Sequence, residues 1–448
     1  MNFENSDLFR ILIFGFIRFT CSMIHFLYNI LLTFFLILYI PYLFLLTLLK
    51  KRPKKMLKER LGGGADLSSK NPIWVHAASV GEVLCSMPLL KKIKREVPDC
   101  EVVLTTMTST GHQTAKKLIS EANSVLYFPI DHPLIIWRAI RKIHPRLLLI
   151  AETELWPNLL RFCGRQNIPV VLFNGRISEK SFRGYLFLKS FFKRCLNNIS
   201  LFLMQTEEDR TRMMEMGARP ERTRVMGNIK FDQVYPSMDL QATGEIAASL
   251  GLQGKETVLI AGSTHQGEEE ILIQLFKALI KTYPHLILIL APRHLNRLDE
   301  VEKILRSEGV SWTRRSALPM QNQNETSSVI LLDTMGELMR IYSLGTIVFI
   351  GGSLVSIGGH NPLEPLFFKK CVLFGPYMFN FQEISRHLLA EGGAVLVKDR
   401  EELFLQLKRL LSDSQQRNEV GEKGHRFIQK HRGATERIYD KIKPFLVA

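Results

Sequence analysis

From residue 70 onward the chain repeats one pattern: a short apolar run, a cluster of small and polar residues, then a longer amphipathic stretch. That alternation constrains the fold more than any single motif. Parallel strands need crossover helices between them, and sheets built that way are buried on both faces. In the first half the runs are Ile73–Ala77, Glu101–Thr106, Val125–Pro129, Arg146–Ala151, Val170–Asn174, Leu201–Gln205 and Arg224–Gly227. In the second half they are Thr257–Gly262, Leu286–Ala291, Ser328–Asp333, Thr346–Ile350, Val372–Gly375 and Ala394–Val397. Stretches of helical period, such as Leu84–Arg95 and Thr211–Met216, lie between them. The least hydrophobic junction, Asp232 to Glu245, contains Pro236, Ser237 and Gly244 and marks a domain boundary. At 448 residues, 46% of them hydrophobic, the chain can fill two cores. The expected fold is α/β, with two Rossmann-like doubly wound domains over 51–235 and 236–448. Ligands of such sheets gather at the carboxyl ends of the strands.

The segment before residue 70 breaks the pattern. From Phe19 to Leu49 there is no Asp, Glu, Lys or Arg, a stretch longer than the roughly 20 residues that span a bilayer. Lys50, Lys51, Arg52, Lys54, Lys55, Lys58 and Arg60 follow directly, the signature of a juxtamembrane segment on an anionic leaflet. Lys-Lys-Arg-Pro stands where a cleaved signal peptide would carry a small-residue site. Residues 1–50 are therefore expected to form an N-terminal membrane anchor helix. The positive-inside bias places everything after residue 50 in the cytoplasm. Arg10 and Arg18 put positive charge on the other flank, and Pro41 with its aromatic neighbours leaves a monotopic helix open beside a single pass.

The formal net charge of +16 fits nucleic acid, an anionic membrane or a phosphorylated substrate. Residues 50–60, with seven basic side chains and Glu59, hold six of those sixteen charges. No nucleic-acid-binding motif is present, so membrane lipids and a phosphorylated substrate are the expected partners, without nucleic acid. The six cysteines form no C-x-x-C pair, which argues against a disulfide framework or a zinc site. No Asp-x-Asp occurs either, so no metal is expected.

The most informative polar cluster follows Thr346–Ile350 and runs from Gly351 to Pro365 (GGSLVSIGGHNPLEP). Its paired glycines let backbone N–H groups approach a ligand, and Asn361 is placed to cap a helix starting at Pro362. That helix start would favour an anion, and Glu364 could accept hydrogen bonds from paired sugar hydroxyls. A nucleotide-sugar pocket accounts for all of this; a Gly-rich turn with a solvated Glu is the alternative. Other clusters also stand at strand ends. Glu82, in His76–Glu82 (HAASVGE), is either a general base or a first-turn carboxylate stabilising its helix. Glu152 and Glu154 could stabilise charge or cap a helix. Lys230 could hold developing negative charge or lie solvated in a linker. Arg293, after Pro292, offers a bidentate phosphate contact. Asp333–Leu338 (DTMGEL) could frame a base or phosphate, and Gly262–His265 (GSTH) offers hydroxyls. The basic and aromatic stretch from Phe182 to Arg194 either faces lipid phosphates or forms an ordinary amphipathic helix.

In this order, the motifs HAASVGE, TTMTSTG, AETELWPN, NGRIS, QTEEDRTRMMEMGA, GNIKFD, STHQGEEE, APRH, DTMGEL, GGHNPLEP and GPYMFNF resemble the Kdo transferases. Those enzymes move 3-deoxy-D-manno-octulosonic acid (Kdo) onto lipid A precursors. The resemblance runs from the anchor to about residue 390. It implies a GT-B glycosyltransferase, with an acceptor-binding first domain and a donor-binding second domain. It further implies CMP-Kdo as donor, lipid IVA as acceptor, inversion at the anomeric carbon, and neither metal nor cofactor. By the same resemblance Glu82 matches the general base, and Glu152 (rather than Glu154) and Lys230 match positions supporting the transition state. Pro292, Arg293, Met335, Gly336, Glu337, Asn361, Pro362, Leu363 and Glu364 match the CMP-binding segments.

Two other readings make different expectations. A transferase for a UDP-sugar would be inhibited by UDP rather than CMP and would leave Lys230 without a sugar carboxylate. A membrane-tethered scaffold with a degenerate transferase fold would have lost its site residues, yet Glu82, Arg293, Asn361 and Glu364 are all present.

Overall fold

A computed structural model describes residues 4–49, 54–64, 71–233, 240–318 and 328–447. Lys50, Lys51 and Arg52 of the basic run, and 234–239 of the expected junction, lie outside the described residues. The chain forms two units, Met1–Gln233 with Arg432–Ala448, and Val234–His431.

In the first unit seven parallel strands are β1 (Ile73–His76), β2 (Val102–Thr106), β3 (Ser124–Tyr127), β4 (Leu147–Ala151), β5 (Val170–Gly175), β6 (Leu201–Met204) and β7 (Thr223–Val225). They lie in the order β3-β2-β1-β4-β5-β6-β7, so the strand order reverses at β1/β4. Successive residues of each strand enter opposite cores. Ile73, Val75, Leu147 and Leu149 pack on one face, and Trp74, Leu148 and Ile150 on the other. Burial on both faces explains why these runs read as continuous apolar stretches.

The second unit repeats the plan with β8 (Thr257–Thr264), β9 (Leu286–Pro292), β10 (Trp312–Arg314), β11 (Val329–Leu331), β12 (Ile347–Ile350), β13 (Cys371–Phe374) and β14 (Val395–Leu396). Their order is β10-β11-β9-β8-β12-β13-β14, again all parallel. Every expected run holds a strand. Only β10 was not expected: it is three residues long, at the sheet edge, with arginine as its last residue.

The C-terminus departs from the expected division. The helix Ala434–Val447 belongs to the first unit, not to a second domain running to 448. Ala434, Ile438, Tyr439, Ile442 and Leu446 form its apolar face and fill the core beside β1 and β4. The Asp232 carboxylate accepts hydrogen bonds from the Gly433 and Thr435 N–H groups at 2.6 and 2.5 Å, fixing the entry to this helix. The sequence carried no signal there that would tie this stretch to the first sheet. Ile442→Ala is expected to cost about 2–5 kcal/mol, the range for such buried truncations. Exposed Lys443→Ala should stay within about 0.5 kcal/mol. Equal denaturant midpoints for the two variants would contradict this packing.

The N-terminal helix runs from Glu4 to Leu48 and continues through Pro41. Within it, Met23–Leu46 is long and apolar enough to cross a membrane. One side of that segment nevertheless carries a polar stripe turned onto the first unit. Tyr28 donates to the buried Asp131 carboxylate at 3.0 Å, His25 Nε2 lies 3.0 Å from Asn158 Oδ1, and Asn158 donates to Asn29 Oδ1 at 2.8 Å. Asp131 also accepts from the Asn158 and Leu159 N–H groups, capping the helix Pro157–Arg165. Burial pushes the Asp131 carboxyl up to about 7. Phe26, Leu31, Phe34 and Leu38 remain exposed on the helix.

One local expectation changes, and one alternative is decided. Arg60, read as part of the lipid-facing run, is buried and donates to the Phe128 carbonyl at 3.1 Å and to that of Met107. Its neighbour Glu59 accepts from Tyr127 N–H. The Phe182–Arg194 stretch forms two helices, Glu179–Phe187 and Lys189–Leu196. Phe191 is buried in the core on one face of the first sheet, and the partly buried Phe182, Tyr185 and Phe192 pack against it, as an ordinary amphipathic stretch would.

Candidate active site

Glu82 lies in the first turn of the helix Val80–Glu96, just past the carboxyl end of β1. Ser79 caps that helix, accepting from Glu82 N–H, and donates its own hydroxyl to Glu82 Oε1 at 2.9 Å. Glu82 Oε2 accepts from Ala78 N–H at 2.8 Å. This is a capping box, so the structural alternative for Glu82 holds in full. The carboxylate has a second property that capping does not require. Only 8% of Glu82 is exposed, and burial pushes its carboxyl up to about 7. The Ala78 hydrogen bond pulls the other way, while Glu152 and Glu154 add to the rise. A carboxyl near 7 is suited to take a proton at physiological pH. Gly81 has an ordinary backbone, and a Cβ there would meet only Ser79 Oγ at 3.9 Å, so the turn does not require glycine.

Glu152 follows β4 with φ of +54°, a left-handed conformation that non-glycine residues rarely adopt. Its N–H bonds the Phe173 carbonyl, and its carboxylate pairs with Arg176 at 3.6 Å. Burial and the Glu152 charge both raise the Glu154 carboxyl. Lys230 is reached through a relay of amides beyond β5 and β6. Asn174, also left-handed at φ +53°, accepts from Ile229 N–H at 3.0 Å, and its carbonyl accepts from Gln205. Asn228 donates to Gln205 Oε1 and accepts from Lys230 N–H. The buried Cys85 thiol marks where these groups converge. Burial pushes its pKa up, with Lys230 and Arg176 acting against Glu152 and Glu82. Glu82, Glu152 and Lys230 thus all act on the Cys85 thiol, and Glu152 acts on Glu82 as well. Sequence reading passed over Arg176 and the amide relay, although both stand in strand-end motifs.

The second unit places its expected residues at the carboxyl edge of its own sheet. Pro292 ends β9 and is buried, while Arg293 is exposed and its guanidinium has no hydrogen-bond or ion-pair partner among the described residues. Met335 is 66% exposed and Gly336 takes φ +90°. Glu337 accepts from Arg315 at 3.2 Å and from the Thr334 hydroxyl. Glu364 accepts from Asn361 Nδ2 at 3.2 Å. Burial pushes the Glu364 carboxyl up to about 7 against the pull of that bond and of the Arg293 charge.

The Gly-rich run differs from its expected role in two respects. The N–H groups of Gly352, Ser353 and Leu354 do not stand bare, because the buried Glu268 carboxylate accepts from all three at 2.7–3.0 Å. The fold has placed its own anion in that nest. The helix after it is Leu363–Phe367, starting one residue later than expected and only five residues long. Pro362 takes the N-cap position, and Asn361, one residue before it, accepts from Leu363 N–H at 3.1 Å. Pro362 and Leu363 are buried, so they hold the segment in place rather than offering side chains to solvent.

Comparison with known proteins identifies the family of the chain. The family described as 3-Deoxy-D-manno-octulosonic-acid transferase (kdotransferase) matches residues 55–233. A 3-deoxy-D-manno-octulosonic acid transferase of Haemophilus influenzae is 37% identical over 405 residues, covering 90% of this chain and 94% of the relative. A Bordetella pertussis protein of the same name is 31% identical, covering 86% and 90% of the two chains. The UDP-GlcNAc 2-epimerase of Neisseria meningitidis is 14% identical with a TM-score of 0.56, covering 83% of this chain and all of that one, a likeness of fold alone. With a 37%-identical relative aligned over nearly its whole length, this chain belongs to the 3-deoxy-D-manno-octulosonic acid transferase family of glycosyltransferases.

Proposed function

We propose that the chain transfers Kdo from CMP-Kdo to a lipid A precursor, lipid IVA, with inversion at the anomeric carbon, and releases CMP. The observation that carries the reading is the Glu82 carboxyl, held near 7, with Glu152 adding to the rise and Lys230 acting on the same Cys85 thiol. Glu82 takes the proton from the acceptor hydroxyl, which then attacks the anomeric carbon in one displacement. Lys230 holds the carboxylate of the donor sugar, and Glu152, balanced by Arg176, sets the local field. Arg293 holds the single phosphate of CMP, and Glu364 accepts from its ribose hydroxyls. Met335, Gly336 and Glu337 frame the base, while Asn361, Pro362 and Leu363 support Glu364.

The reading requires no metal and no cofactor. A phosphodiester carries one negative charge, which one guanidinium can balance. Among the described residues no group of three His, Cys, Asp or Glu side chains is placed to hold a metal ion. The N-terminal helix anchors the enzyme at the inner membrane as a single pass or monotopically, with the catalytic units on the cytoplasmic side where a lipid acceptor is reached.

The test is incubation of the full chain with lipid IVA, CMP-Kdo and a chelator, with products read by mass. Products heavier by whole Kdo residues, formed at an undiminished rate with chelator, are expected. Transfer only after a divalent ion is restored, or only from a UDP-sugar, would refute the reading.

A further inference from the structure

His265, after β8, and His360, in the Gly-rich segment, have Nε2 atoms 2.9 Å apart. Their rings are nearly coplanar, 5° apart with centroids at 5.2 Å, so an in-plane N–H···N bond joins them. One hydrogen fills that bond; in the neutral pair one ring donates and the other accepts. The contact is built into the backbone. Glu268 accepts from His265 N–H at 3.0 Å, and the same carboxylate holds the Gly352–Leu354 turn beneath the rings. Gly352 takes φ +69°, and a Cβ there would stand 3.3 Å from Cδ2 of both histidines. His294 meets His265 edge-on at 5.5 Å.

The charges around the pair come from every neighbouring element. Arg293 and His294 follow β9, Arg297 is paired with Glu269 at 2.9 Å, and Glu268 is spent on backbone N–H groups. Burial is the main cause lowering both rings, His360 to about 4, and Arg293 and His294 lower them further. Burial and these cations together disfavour charge on the pair, which an anion would relieve. A phosphate on the unpaired Arg293 guanidinium would cancel the charge that suppresses protonation.

We propose that the His265–His360 pair is the proton donor to the departing phosphate of the donor nucleotide. The inference rests on the reading that the second unit binds CMP-Kdo. Donor binding loads one proton from solvent onto the pair. The bond between the anomeric carbon and the phosphate oxygen breaks, its electron pair stays on that oxygen, and the pair's proton moves there. The acceptor hydroxyl's proton leaves through Glu82, so the charge balances and CMP departs as its monoanion.

Calorimetry of CMP binding to the full chain, in buffers of different ionisation enthalpy near pH 7.5, tests the loading step. Wild type should take up a proton, and His265→Asn and His360→Asn should each lose most of that uptake while binding CMP within about threefold of wild type. In transfer assays each variant should lose about 10²–10⁴-fold in kcat, the usual reach of general acid catalysis, together with the alkaline limb of its pH profile. Variants that keep near-normal kcat, or lose kcat with the alkaline limb and proton uptake intact, overturn the proposal and leave the donor reading standing. Failure of wild type to bind CMP would overturn the donor reading and the pair's role with it.

Discussion

Glu82→Gln is expected to lower kcat for transfer by about 10²–10⁴-fold, the contribution of a positioned base, with little change in fold stability or CMP affinity. Glutamine is chosen because a capping box accepts Glu or Gln in this position: its amide oxygen can keep the Ala78 N–H bond, while its NH2 can donate to Ser79 Oγ in place of the bond that Ser79 now donates. Glu82→Ala removes base and cap together, and should lower the melting temperature as well as the rate. The wild-type pH profile carries a second signature. A base works only when ionised, and burial holds this carboxyl near 7 rather than near 4.5. The rate should therefore fall roughly tenfold per unit once the pH drops below about 7, and the residual rate of Glu82→Gln should lack that acid limb. A glutamine variant with near-normal kcat would reduce Glu82 to a capping residue.

Arg293→Ala should weaken CMP binding by about 10- to 100-fold, in line with the 1.5–3 kcal/mol of a hydrogen bond to a charged group. The reason is geometric. The guanidinium is exposed, has no carboxylate partner among the described residues, and lies close enough to Glu364 to lower its pKa. Cytidine, which lacks the phosphate, should bind wild type and variant alike, which separates loss of a charge contact from collapse of the pocket. Arg293→Lys should recover part of the loss, since an ammonium restores the charge without the planar fork. Equal losses for CMP and cytidine would show that Arg293 supports the pocket instead of the phosphate.

Both sheets were legible because fully buried parallel strands leave uninterrupted apolar runs, and Ile73–His76 and Ile347–Ile350 are fully buried throughout. The edge strand β10 was not, since a sheet edge asks for little hydrophobicity and two of its three residues are only partly buried. The place of the last helix in the first unit was not legible, because its partner core is assembled from residues hundreds of positions away. At the site, Glu82, Glu152, Lys230 and Arg293 could be singled out by standing at strand ends. The pairing of His265 with His360 could not, since it depends on two loops closing over Gly352. The role of Glu268 was equally hidden: a carboxylate in an acidic helix start looks solvated until three amides of a distant turn are found on it.

The polar stripe on the N-terminal helix has a mechanical consequence. His25, Tyr28 and Asn29 bond to Asp131 and Asn158 from neighbouring turns, so the helix cannot spin about its long axis without breaking several contacts at once. A tether of that kind has no slack. Under the membrane anchoring proposed above, the first unit would be held at one height and one tilt above the leaflet, and encounters with a lipid would become a search in two dimensions.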